Sequence, residues 1–265
     1  MVTDSPNHQL TLRLRHLKLV ESKASLEKIP PGKVLINTIN ANSYNTAQKD
    51  QEFAKALLLG DYLIPDGASI VKACRWLRAD SRPKERIAGW DLFKIEMDLI
   101  NKKGEKQVAE HGEKPIVMFM GSSEKTLSLI QEHCRKEYPY IRVEVYSPPY
   151  KPQFSTEDNR VIIDKINHIR PDLLWIGMTA PKQEKWAYQH WDELNINCHV
   201  GTIGAVFDFY AGSAKRAPKW IQENSLEWLY RLMKEPRRLW RRYILGNPLF
   251  LWNMAKEKWG KTIQE

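Results

Sequence analysis

Residues 171–186, with the sequence PDLLWIGMTAPKQEKW, decide the fold of this chain. The run DLLWIGM is continuously apolar after its aspartate, which is typical of a strand covered on both faces of a sheet. The part that follows opens with a proline, a residue favoured in the first turn of a helix. A buried strand followed directly by a helix is the unit from which parallel sheets are built.

The same order of strand and helix recurs along the first 212 residues. Strands are predicted at residues 33–37, 61–67, 115–119, 141–146, 172–178 and 196–201. Helices are predicted at residues 44–59, with Asn42 or Ser43 as the cap, and at 68–77, 121–139, 156–171 and 181–194. Residues 101–115 are charged and contain glycine, so we interpret them as an exposed loop or a frayed helix end. The pattern predicts an α/β fold: a mostly parallel, Rossmann-like sheet with helices on both faces.

Length and composition exclude several classes of protein. The chain has 265 residues, of which 42% are apolar and 28% are charged, so it is neither disordered nor low in complexity. No stretch reaches the roughly 18 apolar residues of a membrane-spanning helix, and the N-terminus lacks the apolar core of a secretory signal. We therefore expect a cytoplasmic protein. Cys74, Cys134 and Cys198 lie far apart, which favours small buried side chains over disulfides or a zinc site.

Positive charge is concentrated at the C-terminal end. The formal net charge is +9, and residues 213–265 contribute +7 of it together with five of the ten tryptophans. After Gly212 the strand pattern stops, and three prolines divide the rest into predicted helices. We therefore predict a catalytic domain at residues 1–212 and a basic, Trp-rich helical appendage at residues 213–265. Such an appendage suggests a surface for phosphates or anionic lipid headgroups.

Asp66 is the first candidate for chemistry. Ligands of open parallel sheets bind beyond the carboxyl ends of the strands, and Asp66 follows a predicted strand directly. A carboxylate at that edge could remove a proton from a hydroxyl group. The alternative is simple turn chemistry, because Gly67 follows and can let the backbone turn sharply into the next helix.

Three further polar residues are placed to face the same crevice. Thr38 and Asn40 end the first strand and could recognise a sugar hydroxyl or a uracil edge, although the residues alone favour the simpler role of capping the next helix. Gln183 lies in the first turn of a helix that follows a strand, which would aim its amide at the crevice. Exposed glutamines are common, however, so a surface role is the alternative.

The turns after two strands are rich in glycine but match no nucleotide fingerprint. MGSSEK and GTIGAVF could present backbone N–H groups to a phosphate, or could simply be tight turns. Neither string fits G-x-G-x-x-G or the P-loop pattern, which argues against a dinucleotide oxidoreductase and a P-loop kinase. The sequence also contains no D-x-D triplet and no cluster of residues with metal-ligand spacing. We therefore predict neither a metal nor a cofactor.

Five arginines lie within 12 residues of the basic end, at Arg231, Arg237, Arg238, Arg241 and Arg242. A solvated helix face is their ordinary explanation. Guanidinium groups are nevertheless well matched to diphosphate oxygens, because their N–H donors act in pairs. We expect Pro236 to open a new helix, so the arginines need not share one face.

Six strings in a fixed order give the chain a resemblance to a known family. They are T-x-N at Thr38, LIPDG, ERIAGWDLF, RPDLLWIGMTAPKQEKW, GAVFDFYAGSAKRAPKW and EWLYRLMKEPRRLWRRY. With these strings the sequence resembles the WecG/TagA/CpsF family of bacterial glycosyltransferases, family 26, from about Lys33 to Trp252. The family builds cell-surface polysaccharides and teichoic-acid linkage units.

The resemblance implies a reaction and a set of roles. It implies inverting, metal-independent transfer of a hexosyl unit from a nucleoside-diphosphate sugar to a polyprenyl-diphosphate-linked acceptor at the inner face of the cytoplasmic membrane. Asp66 would be the catalytic base. The resemblance further implies substrate-binding roles for Thr38, Asn40, Gly67, Arg86 and Gln183, and diphosphate-binding roles for Arg231, Arg238 and Arg241.

Two strings depart from the commoner family pattern, namely VYSPPYKPQFS and GTIGAVFDF. Glucose, N-acetylmannosamine and its uronic acid therefore stay open as the donor sugar. A non-catalytic protein that binds a membrane surface or nucleic acid is the alternative function, and a methyltransferase is disfavoured because KVLINTINANS lacks a Gly-rich loop. The nearly neutral body argues against a nucleic-acid groove, so we expect no nucleic-acid partner. A homo-oligomer, in which the appendage packs on another subunit, is left open.

Overall fold

A computed structural model of the chain describes residues 11–218, 220–221 and 226–260. Its centre is a six-stranded, wholly parallel sheet with the strand order β2-β1-β6-β5-β3-β4. The strands are β1 (Val34–Ile39), β2 (Tyr62–Pro65), β3 (Ile116–Gly121), β4 (Arg142–Tyr146), β5 (Leu173–Gly177) and β6 (His199–Thr202). The predicted α/β class and parallel sheet are confirmed.

Helices cover both faces of the sheet. In the body of the chain they are α1 (Lys23–Leu26), α2 (Ala41–Ala47), α3 (Gln51–Leu58), α4 (Ala68–Leu77), α5 (Gly89–His111), α6 (Glu124–Glu137), α7 (Thr156–Ile169), α8 (Lys182–Gln189) and α9 (Ala205–Tyr210). Toward the C-terminus follow α10 (Glu227–Lys234), α11 (Pro236–Trp240), a π-helical turn (Arg241–Leu245) and α12 (Gly246–Trp259). Among the helices of the described residues, none is long and apolar enough to cross a membrane.

The core on one face of the sheet is organised around aromatic side chains. Trp175 of β5 is fully buried and its ring centroid lies 5.7 Å from that of Phe93 in α5. A side chain at Gly201 of the neighbouring strand would come within 2.2 Å of the Trp175 ring, so only glycine fits beside this indole. Burial of side chains of this size contributes roughly 2–3 kcal/mol each to folding, which fixes α5 and α9 against the sheet.

Two sequence-based predictions of helix bounds were wrong. The predicted helix at residues 44–59 is two helices, and Asp50 ends the break by capping α3 through the Phe53 N–H. Residues 101–111, predicted as a loop or frayed end, form the last three turns of α5. Gly104 belongs there because a side chain at that position would collide with the Tyr140 carbonyl oxygen, 2.2 Å away.

The end of the chain crosses the carboxyl edge of the sheet. The α10 residue Arg231 lies against Phe209 of α9 on one face, whereas Phe250 and Met254 of α12 are buried with α2 and α4 on the other. The Glu257 carboxylate fastens α12 by accepting hydrogen bonds from the backbone N–H groups of residues 14 and 15 and from a tyrosine hydroxyl of α2. The connecting segment therefore spans the edge at which the strand ends meet. The division of the chain at residue 212 into two domains stays a prediction.

Candidate active site

Backbone pairing with β1 places Asp66 at the carboxyl edge of the sheet. The Asp66 N–H donates to the Ile39 carbonyl oxygen over 2.8 Å, so the pairing of β1 with β2 continues one residue beyond Pro65. The Asp66 side chain is 28% exposed, which leaves its carboxylate reachable but largely removed from water. This is the edge at which ligands of parallel α/β sheets bind.

Arg86 is held next to Asp66 by the backbone. The Ile87 N–H donates to the Pro65 carbonyl oxygen over 3.1 Å, which aligns the segment before α5 with the end of β2. The Arg86 Nη2 then lies 3.4 Å from Asp66 Oδ1, and its Nη1 lies 2.9 Å from Glu227 Oε2 at the start of α10. One guanidinium group is thus shared by two carboxylates, and the shorter contact is made to the C-terminal segment.

Burial makes the Asp66 carboxylate a stronger base than an ordinary aspartate. Removal from water raises the pKa of Asp66, the positive charge of Arg86 opposes this rise, and the negative charge of Glu227 adds to it. The same two carboxylates raise the pKa of Arg86 against the effect of its own burial, so its guanidinium stays charged. The site therefore combines a proton acceptor with a fixed positive charge.

Two arginine N–H groups near Asp66 have hydrogen-bonding capacity left over. The Nε atoms of Arg86 and Arg242 are buried and have no hydrogen-bond partner within the described part of the chain. The charge of Arg242, from the π-helical turn, also acts on Asp66 and lowers its pKa. Buried N–H donors that carry positive charge are suited to oxygen atoms of a phosphate or diphosphate. Sequence reasoning named Arg242 in the cluster but did not select it, and it missed Glu227 altogether.

Thr38, Asn40 and Gly67 lie beside Asp66 as the strand order requires. Thr38 of β1 is level with Ile64 of β2, which precedes Asp66 by two residues. The Asn40 side chain caps α2, because its Oδ1 accepts the N–H groups of residues 42 and 43, each over 3.0 Å. The expected cap at Asn42 or Ser43 was thus wrong by two or three residues. Gly67 has an extended backbone that any residue can adopt, so a sharp turn is not the reason for its presence.

Gln183 connects two loops at the same edge. Its Oε1 accepts the backbone N–H groups of Met178, after β5, and Gly204, after β6, each over 3.1 Å. Its Nε2 donates to Glu184 Oε1 over 2.8 Å. Gln183 is buried, and the strand β1 lies between its loops and the strand that carries Asp66. The side chain therefore shapes the edge of the site, and its expected contact with substrate stays a prediction.

The three arginines expected to bind diphosphate make other contacts. Arg231 lies over the ring of Phe209, with its guanidinium carbon 5.7 Å from the ring centroid, and Arg238 is ion-paired with Glu235. Arg241 lies over the ring of its neighbour Trp240 at 5.3 Å. Of these arginines and Arg86, only Arg86 has a contact with Asp66 in the described part of the chain, the charge of Arg242 acts on Asp66, and the diphosphate role of the other three arginines stays a prediction.

A bound metal ion is one way to bring positive charge to a site of this kind, and it needs a cluster of protein ligands. Residues 11–218, 220–221 and 226–260 contain no group of three or more His, Cys, Asp or Glu residues arranged to hold a metal ion. Positive charge at the described site comes from arginine side chains.

The fold is that of a parallel α/β protein, and at the carboxyl edge of its sheet two carboxylates and the Arg86 guanidinium group lie together. The chain matches the glycosyl transferase WecG/TagA/CpsF family over residues 8–264, and it belongs to this family. It is therefore a glycosyltransferase, as the resemblance predicts.

Curated relatives share most of their length with the chain. An N-acetylglucosaminyldiphosphoundecaprenol N-acetyl-beta-D-mannosaminyltransferase of Bacillus subtilis strain 168 is 28% identical over 86% of this chain and 81% of its own length. The protein of the same name from Bacillus spizizenii is 29% identical over 84% of this chain and 79% of its own. That of Staphylococcus aureus strain MW2 is 24% identical over 91% of this chain and 88% of its own.

Glu184, the partner of Gln183, is a buried acid with an incomplete set of hydrogen bonds. Its Oε2 is buried without a hydrogen-bond partner in the described residues. Burial raises the pKa of Glu184 to about 7, and the hydrogen bond from Gln183 offsets only part of this rise. Between pH 4.5 and 7 the folded protein therefore retains on this group a proton that the unfolded chain progressively releases.

Replacement of Glu184 by Gln is expected to change how stability depends on pH. A group whose pKa is raised in the folded state stabilises fully below its unfolded pKa, and this contribution is lost as pH rises to its folded pKa. Between pH 4.5 and 7 the wild type should lose about 2–4 kcal/mol of unfolding free energy relative to Glu184→Gln. Urea unfolding at several pH values measures the difference, with the exposed Glu105→Gln as the matched control. A difference in unfolding free energy between the wild type and Glu184→Gln that does not vary with pH would contradict the raised pKa of Glu184.

Proposed function

We propose that the chain transfers a hexosyl unit from a nucleoside-diphosphate sugar to a hydroxyl group of a polyprenyl-diphosphate-linked sugar. Membership of the glycosyltransferase family supports the transfer, and the names of the three relatives support the polyprenyl-linked acceptor. The observation that carries the proposal is the Asp66 carboxylate at the carboxyl edge, with the Arg86 guanidinium 3.4 Å away. Asp66 can accept the proton of the attacking hydroxyl group, and Arg86 can stabilise the negative charge of the leaving diphosphate.

Asp66 acts as the general base. Its carboxylate accepts the proton of the acceptor hydroxyl while the hydroxyl oxygen forms a bond to C1 of the donor sugar. The bond from C1 to the diphosphate oxygen breaks on the opposite face, and the nucleoside diphosphate leaves with the bonding electrons. Configuration at C1 is inverted, and Asp66 afterwards releases its proton to water.

Arginine side chains stabilise the leaving diphosphate. Arg86 and Arg242 each have a buried Nε–H group that can donate to a diphosphate oxygen, and both carry positive charge close to Asp66. Arg231, Arg238 and Arg241 supply further positive charge from the same C-terminal segment. Fixed donors aimed at developing negative charge are an effective form of catalysis, so the mechanism requires no divalent metal.

The donor sugar is proposed to be N-acetylmannosamine, because the names of the relatives specify it. Its uronic acid and glucose are the other candidates, since two strings of this chain differ from the commoner family pattern. An uronic acid would bring a carboxylate into the site and would need one more cationic partner than the neutral sugars.

A donor screen tests this function. Purified full-length protein is incubated with a synthetic polyprenyl-diphosphate N-acetylglucosamine and a panel of UDP- and GDP-sugars. Mass spectrometry should show an acceptor enlarged by one N-acetylhexosamine unit, without added divalent metal and in the presence of EDTA. Absence of any enlarged acceptor would contradict the proposal, and a different mass increment would identify another sugar.

Asp66→Asn is the variant that examines the mechanism in the same assay. The amide cannot accept the proton, so turnover should fall about 10²- to 10⁴-fold while donor binding, measured by calorimetry, is retained. Unchanged turnover of Asp66→Asn would show that Asp66 is not the general base.

The C-terminal segment is proposed to hold the enzyme at the inner face of the cytoplasmic membrane. Its outward side carries large apolar side chains, among them Leu251, which is 66% exposed, beside basic residues. Basic segments with exposed apolar residues bind anionic bilayers. Leu251→Ser should weaken co-sedimentation with phosphatidylglycerol vesicles, whereas Leu59→Ser, at a 63% exposed position on the body of the protein, should not. Equal effects of the two substitutions would contradict this surface.

Arg242→Ala and Arg237→Ala remove the same charge from the same segment and therefore form a matched pair. Arg242 acts on Asp66, whereas Arg237 is exposed. If Arg242 binds the leaving diphosphate, Arg242→Ala should lower kcat/KM by about 10- to 100-fold, the loss expected for a hydrogen bond to a charged group. Arg237→Ala should stay within about twofold of the wild type. Steady-state kinetics at one ionic strength compares kcat/KM of the two variants. Similar losses in both would show that Arg242 contributes only through the overall positive charge of the segment.

A further inference from the structure

Glu227 is the acidic residue that the C-terminal segment contributes to the site. It is the first residue of α10, where the partial positive charge of the helix N-terminus favours a carboxylate. Its side chain is only 12% exposed, and its Oε2 lies 2.9 Å from Arg86 Nη1. A carboxylate is not needed to bind an anionic donor, so its presence beside the guanidinium groups needs another explanation.

Arg86 contacts two carboxylates through different nitrogen atoms. The contact of Arg86 with Glu227 is 2.9 Å, and its contact with Asp66 is 3.4 Å through a different nitrogen atom. A guanidinium can bind one carboxylate through two parallel N–H groups, which is the strongest arrangement available to it. Glu227 engages Nη1, whereas Asp66 lies 3.4 Å from Nη2, and the edge formed by Nη2 and Nε stays available for a closer pair with Asp66. The ion pair with Glu227 holds the guanidinium group from its opposite end, and a closer Arg86–Asp66 pair would stabilise the Asp66 carboxylate and weaken it as a base.

Other charges act on the same group of residues. Arg242 lowers the pKa of Asp66, and Arg216, whose guanidinium lies 4.8 Å from the centroid of the Trp90 ring, interacts with both carboxylates and with Arg86. The charges of Arg86, Arg242 and Arg216 thus all interact with Asp66, and Glu227 contributes a negative charge that opposes their effect on it.

We propose that Glu227 is a positioning residue of the transfer reaction, which holds Arg86 away from a close pair with Asp66 and fixes the start of α10 beside the site. This proposal rests on the proposed function, in which Asp66 is the base. It assigns to one residue of the C-terminal segment a role in proton transfer, in addition to the binding of diphosphate by the arginines.

The direction of the electrostatic effect follows from the charges. The negative charge of Glu227 raises the pKa of Asp66, and the charge of Arg86 lowers it. When Glu227 is neutralised, its own contribution is lost and Arg86 is free to approach Asp66. Both changes lower the pKa of Asp66, so they cannot cancel each other.

The test is the pH dependence of kcat and kcat/KM for full-length Glu227→Gln. Glutamine keeps the size of the side chain and removes the charge, so the acid limb of both profiles should move to lower pH by about half a unit or more. At the plateau, kcat should fall about threefold, since a weaker base removes the proton less effectively. Glu227→Asp keeps the charge and should leave the acid limb at the wild-type position.

The controls separate charge from packing and from the proposed function itself. Glu132→Gln removes an ion-paired carboxylate of α6 that lies outside the site, and should leave the profile unchanged. An acid limb that does not move in Glu227→Gln, or that moves equally in Glu227→Asp, overturns the proposal, as does a higher KM with an unchanged profile. These results presuppose an active wild type and an inactive Asp66→Asn variant. If the wild type shows no transfer, or if Asp66→Asn keeps its activity, the proposed function has failed instead.

Discussion

One guanidinium group, that of Arg86, lies between the body of the protein and its C-terminal segment. It pairs with Asp66 at the end of β2 and with Glu227 at the start of α10. Its position is set by the backbone hydrogen bond from the Ile87 N–H group to the Pro65 carbonyl oxygen at the end of β2. The geometry of the site therefore depends on an ion pair that forms only when the C-terminal segment crosses the carboxyl edge.

The parallel sheet explains why the polar residues gather where they do. Adjacent β1 and β2 both end at this edge, so Thr38, Asn40 and Asp66 become neighbours although up to 28 residues separate them in sequence. The loops after β5 and β6 meet at the same edge through Gln183, which accepts one backbone N–H group from each. The strand order thus converts a dispersed set of residues into one surface, and Gln183 joins two of its loops.

The sequence predicts the sheet because apolar runs of strand length leave few alternatives, and it predicts Asp66 because the residue follows such a run. It does not predict the break between α2 and α3, where the polar cap at Asp50 outweighs a periodicity that continues through the break. Nor does it show which arginine approaches Asp66. The π-helical turn at Arg241–Leu245 adds a residue to the helical repeat, so a regular helical wheel misplaces the residues that follow the turn relative to those that precede it.

Glu227 could not be selected from the sequence because its effect depends on a tertiary contact across 141 residues. A basic segment with few acids suggests that each acid is incidental, yet an acid buried among arginines must interact with them, since an unpaired buried charge is strongly unfavourable. The same contact makes the site sensitive to the docking of α12. Phe250, Met254 and Glu257 anchor that helix on α2 and α4, and α10 is held between this anchor and α9. In the proposed mechanism, the packing of α12 on one face of the sheet thus helps to place the charge of Glu227 beside the carboxylate at its edge.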